Sequence, residues 1–125
     1  MESLNKRETG AVVEGKAALF LEKNGYIIKE RNFRGKFGEI DIVASVPGEK
    51  LLVFVEVKAK ERASGIHPFE AVDEKKQRKI ITASKEYMAS RRIEDCFIRF
   101  DVVGVILEGG EVSSIEVATD AFQCF

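Results

Sequence analysis

The stretch that decides the fold runs from Gly38 to Lys60, GEIDIVASVPGEKLLVFVEVKAK. Gly38 to Ser45 and Leu51 to Ala59 are rich in apolar and β-branched residues, which predicts two strands, and Pro47 and Gly48 between them favour a tight turn. Side chains alternate along a strand, so Glu39 and Asp41 share one face of the first strand, and Glu56 and Lys58 one face of the second. A turn centred between Gly48 and Glu49 sets Asp41 directly opposite Glu56, with Cβ atoms about 4.5 to 5.5 Å apart. Two ionised carboxylates that close repel each other unless a cation sits between them. A register shift of one residue would send them to opposite faces and remove the pair.

Before this stretch, Val13, Ala17, Phe20, Leu21 and Asn24 recur at helical spacing from about Thr9 to Asn24, and Gly25 is placed to end that helix in the left-handed conformation. Tyr26 to Phe33 reads as a strand and Arg34 to Phe37 as a turn. After a loop from Lys60 to Pro68, a long helix is expected up to about Arg92, with Phe69, Val72, Ile80, Ala83 and Tyr87 as its inward stripe. Cys96 to Leu107 and Val112 to Ala118 read as two closing strands around the Glu108-Gly109-Gly110 turn. The expectation is an α/β fold, a mixed β-sheet flanked by helices, and 125 residues suffice for a single domain, 1–125, with one core.

Composition narrows the chemistry. Cys96 and Cys124 have no CxxC spacing and His67 is the single histidine, so a cysteine-rich or multi-histidine zinc centre is excluded and any metal must be held mainly by oxygen. The polar N-terminus reads as no signal peptide, and the longest apolar run, Leu51 to Val55, is far short of a membrane span, which predicts a cytoplasmic protein. The formal net charge is −1, yet residues 1–92 hold 19 of the 20 Lys and Arg against 14 acids, and residues 93–125 hold Arg99 against seven acids. That asymmetry permits a basic face that would hold phosphates, or a solvated surface biased along the chain.

These residue types in this pattern point to hydrolysis of a phosphodiester. Mg²⁺ or Mn²⁺ takes oxygen ligands and keeps several waters, so Asp41, Glu56 and the backbone carbonyl of Val57 suffice as protein ligands. A bound metal acidifies water and offsets charge on the scissile phosphate, and Lys58, on the face of Glu56, could orient that water or stabilise the developing charge.

GEIDIVA followed by VFVEVKAK resembles the PD-(D/E)xK nuclease motif, with Asp41 at the first acidic position, Glu56-Val57-Lys58 at the (D/E)xK position, and Ile40 where the motif has its proline. Gly10 with Glu14, GYIIKERNFR from Gly25 to Arg34, FEAVDEKKQRKI from Phe69 to Ile80, and RFDVV from Arg99 to Val103 extend the likeness over nearly the full length. In these stretches the chain resembles the YraN family of small predicted endonucleases, which are similar to archaeal Holliday-junction resolvases. The resemblance implies a restriction-endonuclease-like core and a catalytic set of Glu14, Asp41, Glu56 and Lys58. It further implies DNA repair or recombination as setting, DNA, branched or otherwise structured, as substrate, and a homodimer that would set two sites on one junction.

Each residue has a plainer reading. Glu56 and Lys58 could be a surface ion pair, but they follow an all-apolar run that predicts a buried central strand, where acids need a reason. Glu14 lies one position off the apolar stripe of the first helix, where a solvated acid is ordinary, and Glu39 could simply shape the turn. Arg31, Arg34 and Lys36 near the hairpin, Lys60 after the second strand, and Lys75, Lys76, Gln77 and Arg78 on the long helix are candidates for nucleic-acid contact. A solvated helix face supported by Glu74 with Arg78 is the alternative for the last group. Asp101 reads first as an ion pair with Arg99, and His67 as incidental. No aromatic-rich stacking platform is evident. Beside the nuclease stands a second reading, a non-catalytic nucleic-acid-binding or adaptor module on the same fold.

Overall fold

The computed structural model describes residues 6–124, with side chains from Gly10 onward. The elements are α1 (Lys6–Lys23), β1 (Ile27–Arg34), β2 (Glu39–Ser45), β3 (Leu51–Glu61), α2 (Glu74–Ser90), β4 (Phe97–Glu108) and β5 (Glu111–Phe122). Residues 1–5, part of the polar stretch on which the expectation of no signal peptide rests, lie outside the described residues.

The five strands form one mixed sheet in sequence order, with β3 and β4 parallel and every other neighbouring pair antiparallel. The parallel pair requires a crossover, and α2 supplies it. One face of the sheet is covered by Val13, Ala17, Ala18 and Leu21 of α1 against Ile42, Ala44, Val53, Val55, Val103 and Val105. The other is covered by Ile80, Ile81, Ala83 and Tyr87 of α2 against Val43, Leu52, Phe54 and Phe100. Burial on both faces is why β3 reads as a continuous apolar run instead of an alternating one. The β2–β3 turn fixes Ser45 opposite Leu52 and Ile42 opposite Val55, the register that a centre between Gly48 and Glu49 demands.

Three sequence expectations need correction. Asn24 is exposed and off the apolar stripe of α1, where its side-chain amide donates to the Phe20 carbonyl at 2.8 Å, and Ala18 takes the buried position instead. The long helix is broken: Pro68–Ala71 is a 3₁₀ turn, and α2 begins only after Asp73, whose Oδ1 accepts from the Lys76 N–H at 2.8 Å. A side chain that satisfies a free N–H in the first turn of a helix also defines its start, so the chain turns at Val72 and Asp73. The 3₁₀ turn is held by close packing on β4, since a Cβ at Gly104 would lie 2.8 Å from the Phe69 ring. Finally, β5 runs on to Phe122, whose ring stacks on Phe100 with centroids 4.9 Å apart.

Candidate metal site and nucleic-acid interface

The site begins where two strands part. β2 is paired with β1 as far as Glu39 opposite Arg34, but its pairing with β3 ends at Ile42 opposite Val55. Continuing that register by one residue sets Asp41 opposite Glu56. Asp41 Oδ2 accepts the Val57 N–H at 2.8 Å, so the carboxylate satisfies a β3 donor that lies beyond the end of the β2–β3 ladder. The alternation of β3 turns Glu56 toward α2, and it is only 5% exposed.

Asp41 and Glu56 act on each other directly, and their proton affinities follow from the crowding. Burial pushes the Glu56 carboxyl up to about 8, the Asp41 charge pushes the same way, and Lys76 and Lys58 oppose. Burial also raises Asp41, against the Val57 N–H, Glu56, Lys76 and Lys58. Near neutral pH the pair therefore retains a proton, as expected of two buried carboxyls this close together. Glu14 reaches Asp41 from α1: burial raises it, the Asp41 charge and a hydrogen bond to Asp41 add to that, and Arg31 works in the opposite sense.

The residues expected as catalytic thus come together. Glu14, Asp41 and Glu56 form a chain of contacts through Asp41, and the Lys58 charge acts on both strand carboxyls. They do not close into one cage: among the described residues no group of three or more His, Cys, Asp or Glu side chains converges on a metal position. Two carboxylates and a main-chain carbonyl nevertheless match the donor chemistry of Mg²⁺, which is held by few protein oxygens and completes its shell with water. The proton retained by the pair is the charge that a cation would replace. A cavity of about 660 Å³, lined by Gly10, Val13, Glu14, Val57, Lys58 and Lys60 among others, opens on the α1 side of β3.

The residues expected at nucleic acid divide into three groups. Lys76 belongs to the acidic site, with Nζ 3.8 Å from Glu56 Oε1. The spacing within α2 carries the signal for its inward position, because Lys76, Ile80, Ala83 and Tyr87 fall at i, i+4, i+7 and i+11. Gln77 donates its amide to the Val72 carbonyl at 3.0 Å and Arg78 Nη2 lies 2.6 Å from Glu74 Oε1, so both serve the helix, while Lys75 is exposed beside them. Arg31 acts on Glu14, Arg34 Nε lies 3.8 Å from Glu39, and Lys36 stands at the β1–β2 hairpin tip.

Two other polar residues are structural. Asp101 is fully buried, and its oxygens accept from Tyr26 Oη (2.7 Å), Arg99 Nε and Nη2 (both 2.8 Å) and the Asp120 N–H (2.9 Å). His67 caps the 3₁₀ turn by accepting the Phe69 N–H at 3.2 Å.

A five-stranded mixed sheet between two helices, with Asp41 at a strand fork and Glu56-Val57-Lys58 on the next strand, defines a restriction-endonuclease-like domain of the PD-(D/E)xK class. The chain belongs to the family described as "Uncharacterised protein family UPF0102", whose model matches residues 13–105 and so includes Glu14, Asp41, Glu56, Lys58 and all of α2. It is similar to a UPF0102 protein of Pelobacter propionicus, 45% identical over 119 residues that cover 95% of this chain and 85% of that protein. A UPF0102 protein of Desulforapulum autotrophicum is 43% identical over 118 residues, covering 94% and 95%, and one of Caldanaerobacter subterraneus 42% identical over 107 residues, covering 86% of each. Family membership brings with it a nuclease-like fold. No helix among the described residues is long and apolar enough to cross a membrane.

Proposed function

We propose that this chain is a metal-dependent endonuclease that hydrolyses phosphodiester bonds of DNA. The observation that carries this reading is the Asp41–Glu56 pair at the strand fork, buried enough to raise both carboxyls and faced by Lys58 and Lys76. A fold gains nothing from two buried acids that repel, whereas a site for a cation and a polyanion needs them. Asp41, Glu56 and the Val57 carbonyl would hold Mg²⁺ or Mn²⁺, which when bound acidifies a water and offsets charge developing on the phosphate. Lys58 supplies a cation at the same face, where it orients the attacking water and stabilises the added negative charge. Glu14 holds Asp41 in place and accepts a water-mediated contact, and Lys75 and Lys36 hold substrate phosphates.

A second reading, binding without cleavage, is favoured by one observation: Lys76 already supplies a positive charge 3.8 Å from Glu56. Labelled linear, single-stranded and four-way-junction DNA, incubated with Mg²⁺ or Mn²⁺, separates the two. The nuclease reading expects cutting that needs metal and is lost in both Glu56→Ala and Lys58→Ala. Binding without cutting on every substrate would establish the second.

A further inference from the structure

The β1–β2 hairpin ends in a four-residue tip, Gly35-Lys36-Phe37-Gly38, whose main chain is seated on α2. The Gly35 N–H donates to the Gly38 carbonyl at 2.8 Å and closes the turn. The Lys36 N–H donates to Glu86 Oε2 at 2.6 Å and the Phe37 N–H to Glu86 Oε1 at 3.1 Å, so one carboxylate of α2 grips two consecutive amides. Gly38 is required by this approach, since a Cβ there would lie 2.8 Å from the Lys79 carbonyl oxygen, and a Cβ at Gly35 would lie 2.7 Å from Glu86 Oε1 and displace that carboxylate.

The large side chain of this tip is left outside. Phe37 is 63% exposed, although burying a phenyl ring stabilises a protein. A cation stands beside it, Lys36 Nζ 5.3 Å from the ring centroid, and Arg34 at the adjoining strand end lies 3.8 Å from Glu39. Phe37 precedes Asp41 by four residues, at most about 13 Å of extended chain. That distance is about four base steps of 3.4 Å along a strand.

We infer that Phe37 is a stacking residue for an unpaired base of the nucleic acid, received beside the Asp41–Glu56 site while Lys36 and Arg34 hold the flanking phosphates. The proposal rests on the nucleic-acid reading given above and adds to it what the substrate must offer. An aromatic ring stacks on any base, and a tip pinned through its own main chain loses little freedom when it does so. A lone ring serves one unstacked position, as at a bulge, nick or gap, whereas tracking a long single strand takes a series of rings. The flanking cations select a polyanion over an apolar protein surface.

The test uses the full chain with a labelled duplex carrying one bulged 2-aminopurine and with the fully paired duplex, in buffer with Ca²⁺ in place of Mg²⁺. Base stacking contributes to affinity one ring at a time, so Phe37→Ala is expected to weaken binding of the bulged duplex roughly tenfold and leave the paired one unchanged. Phe37→Trp is expected to retain the preference, and the 2-aminopurine fluorescence to be quenched by wild type but not by Phe37→Ala. Equal losses on both duplexes, no loss, or a change of molecular mass in Phe37→Ala that reveals a second copy on the ring would each overturn the inference. Cleavage is scored separately with Mg²⁺: cutting that persists without a Phe37 effect overturns the stacking role alone. Bulge-selective binding without any cutting overturns the nuclease reading alone.

Discussion

Replacing Glu56 by glutamine removes a buried acid while keeping its shape and a hydrogen-bonding partner for Asp41. In the folded protein the Glu56 carboxyl is pushed up to about 8 from an ordinary 4.5, mainly by burial and then by Asp41. The raised value makes the folded state bind the proton more tightly than the unfolded one, so stability is greatest below 4.5 and falls as pH rises through about 8. At 1.36 kcal/mol per pH unit, the loss between pH 5 and 7.5 is about 3 kcal/mol, and it belongs to the coupled Asp41–Glu56 pair. Glutamine has no such titration. The melting temperature of Glu56→Gln is therefore expected to rise relative to wild type by about 10 °C across that range, taking roughly 3 °C per kcal/mol for a chain of this size. Millimolar Mg²⁺ should recover part of the difference in wild type at pH 7.5 and little of it at pH 5, because the cation competes with the proton. Thermal unfolding followed by circular dichroism at matched ionic strength reads both effects. A wild-type-to-variant difference that stays flat from pH 5 to 8 would refute the account of the fork as a buried, proton-retaining pair.

Other perturbations address neighbouring parts of the molecule. Lys76→Met removes a cation 3.8 Å from Glu56, so the midpoint of the wild-type titration should move to higher pH, read by the same melting series. Asp101→Ala strips the shared acceptor from Tyr26, Arg99 and the Asp120 N–H and should lower stability by about 3 kcal/mol in denaturant unfolding, without changing nucleic-acid affinity of the folded protein. Gly104→Val places a side chain against Phe69 and should destabilise by about 1 to 3 kcal/mol in the same assay. Lys75→Ala should weaken duplex binding uniformly across sequences and reduce the slope of log affinity against log salt by about 1.

How much of this was legible in the chain depends on the range of the interaction that decides each feature. The β2–β3 register follows from Pro47 and Gly48 and from the apolar runs on either side, all local signals, and with it comes the opposition of Asp41 and Glu56. The ion pair of Arg99 with Asp101 is likewise local, two residues apart on one strand. The break before α2 was also written locally, in Pro68 and Asp73, but the apolar spacing of Phe69 and Val72 continues the helical period across it and conceals it. Periodicity reports which side chains face inward, and here the 3₁₀ turn and the helix face the same core.

The fork itself was beyond sequence reading for a different reason. Opposed strands predict that Asp41 and Glu56 meet, but only the end of the β2–β3 ladder lets the Asp41 carboxylate take the Val57 N–H and meet Glu14 from the other side of the sheet. That ladder ends where β2 is held elsewhere: β1 keeps pairing to Glu39, and α2 grips the tip through Glu86 and lies tight against Gly38. The contact between Glu86 and Gly35–Phe37 spans about fifty residues of sequence, and neither partner carries a motif. A helix that pulls the hairpin tip toward itself thus opens the sheet at the point where the acids stand. The same contact leaves Phe37 in solvent, so the geometry that builds the acidic pair and the exposure of the ring beside it have one physical cause.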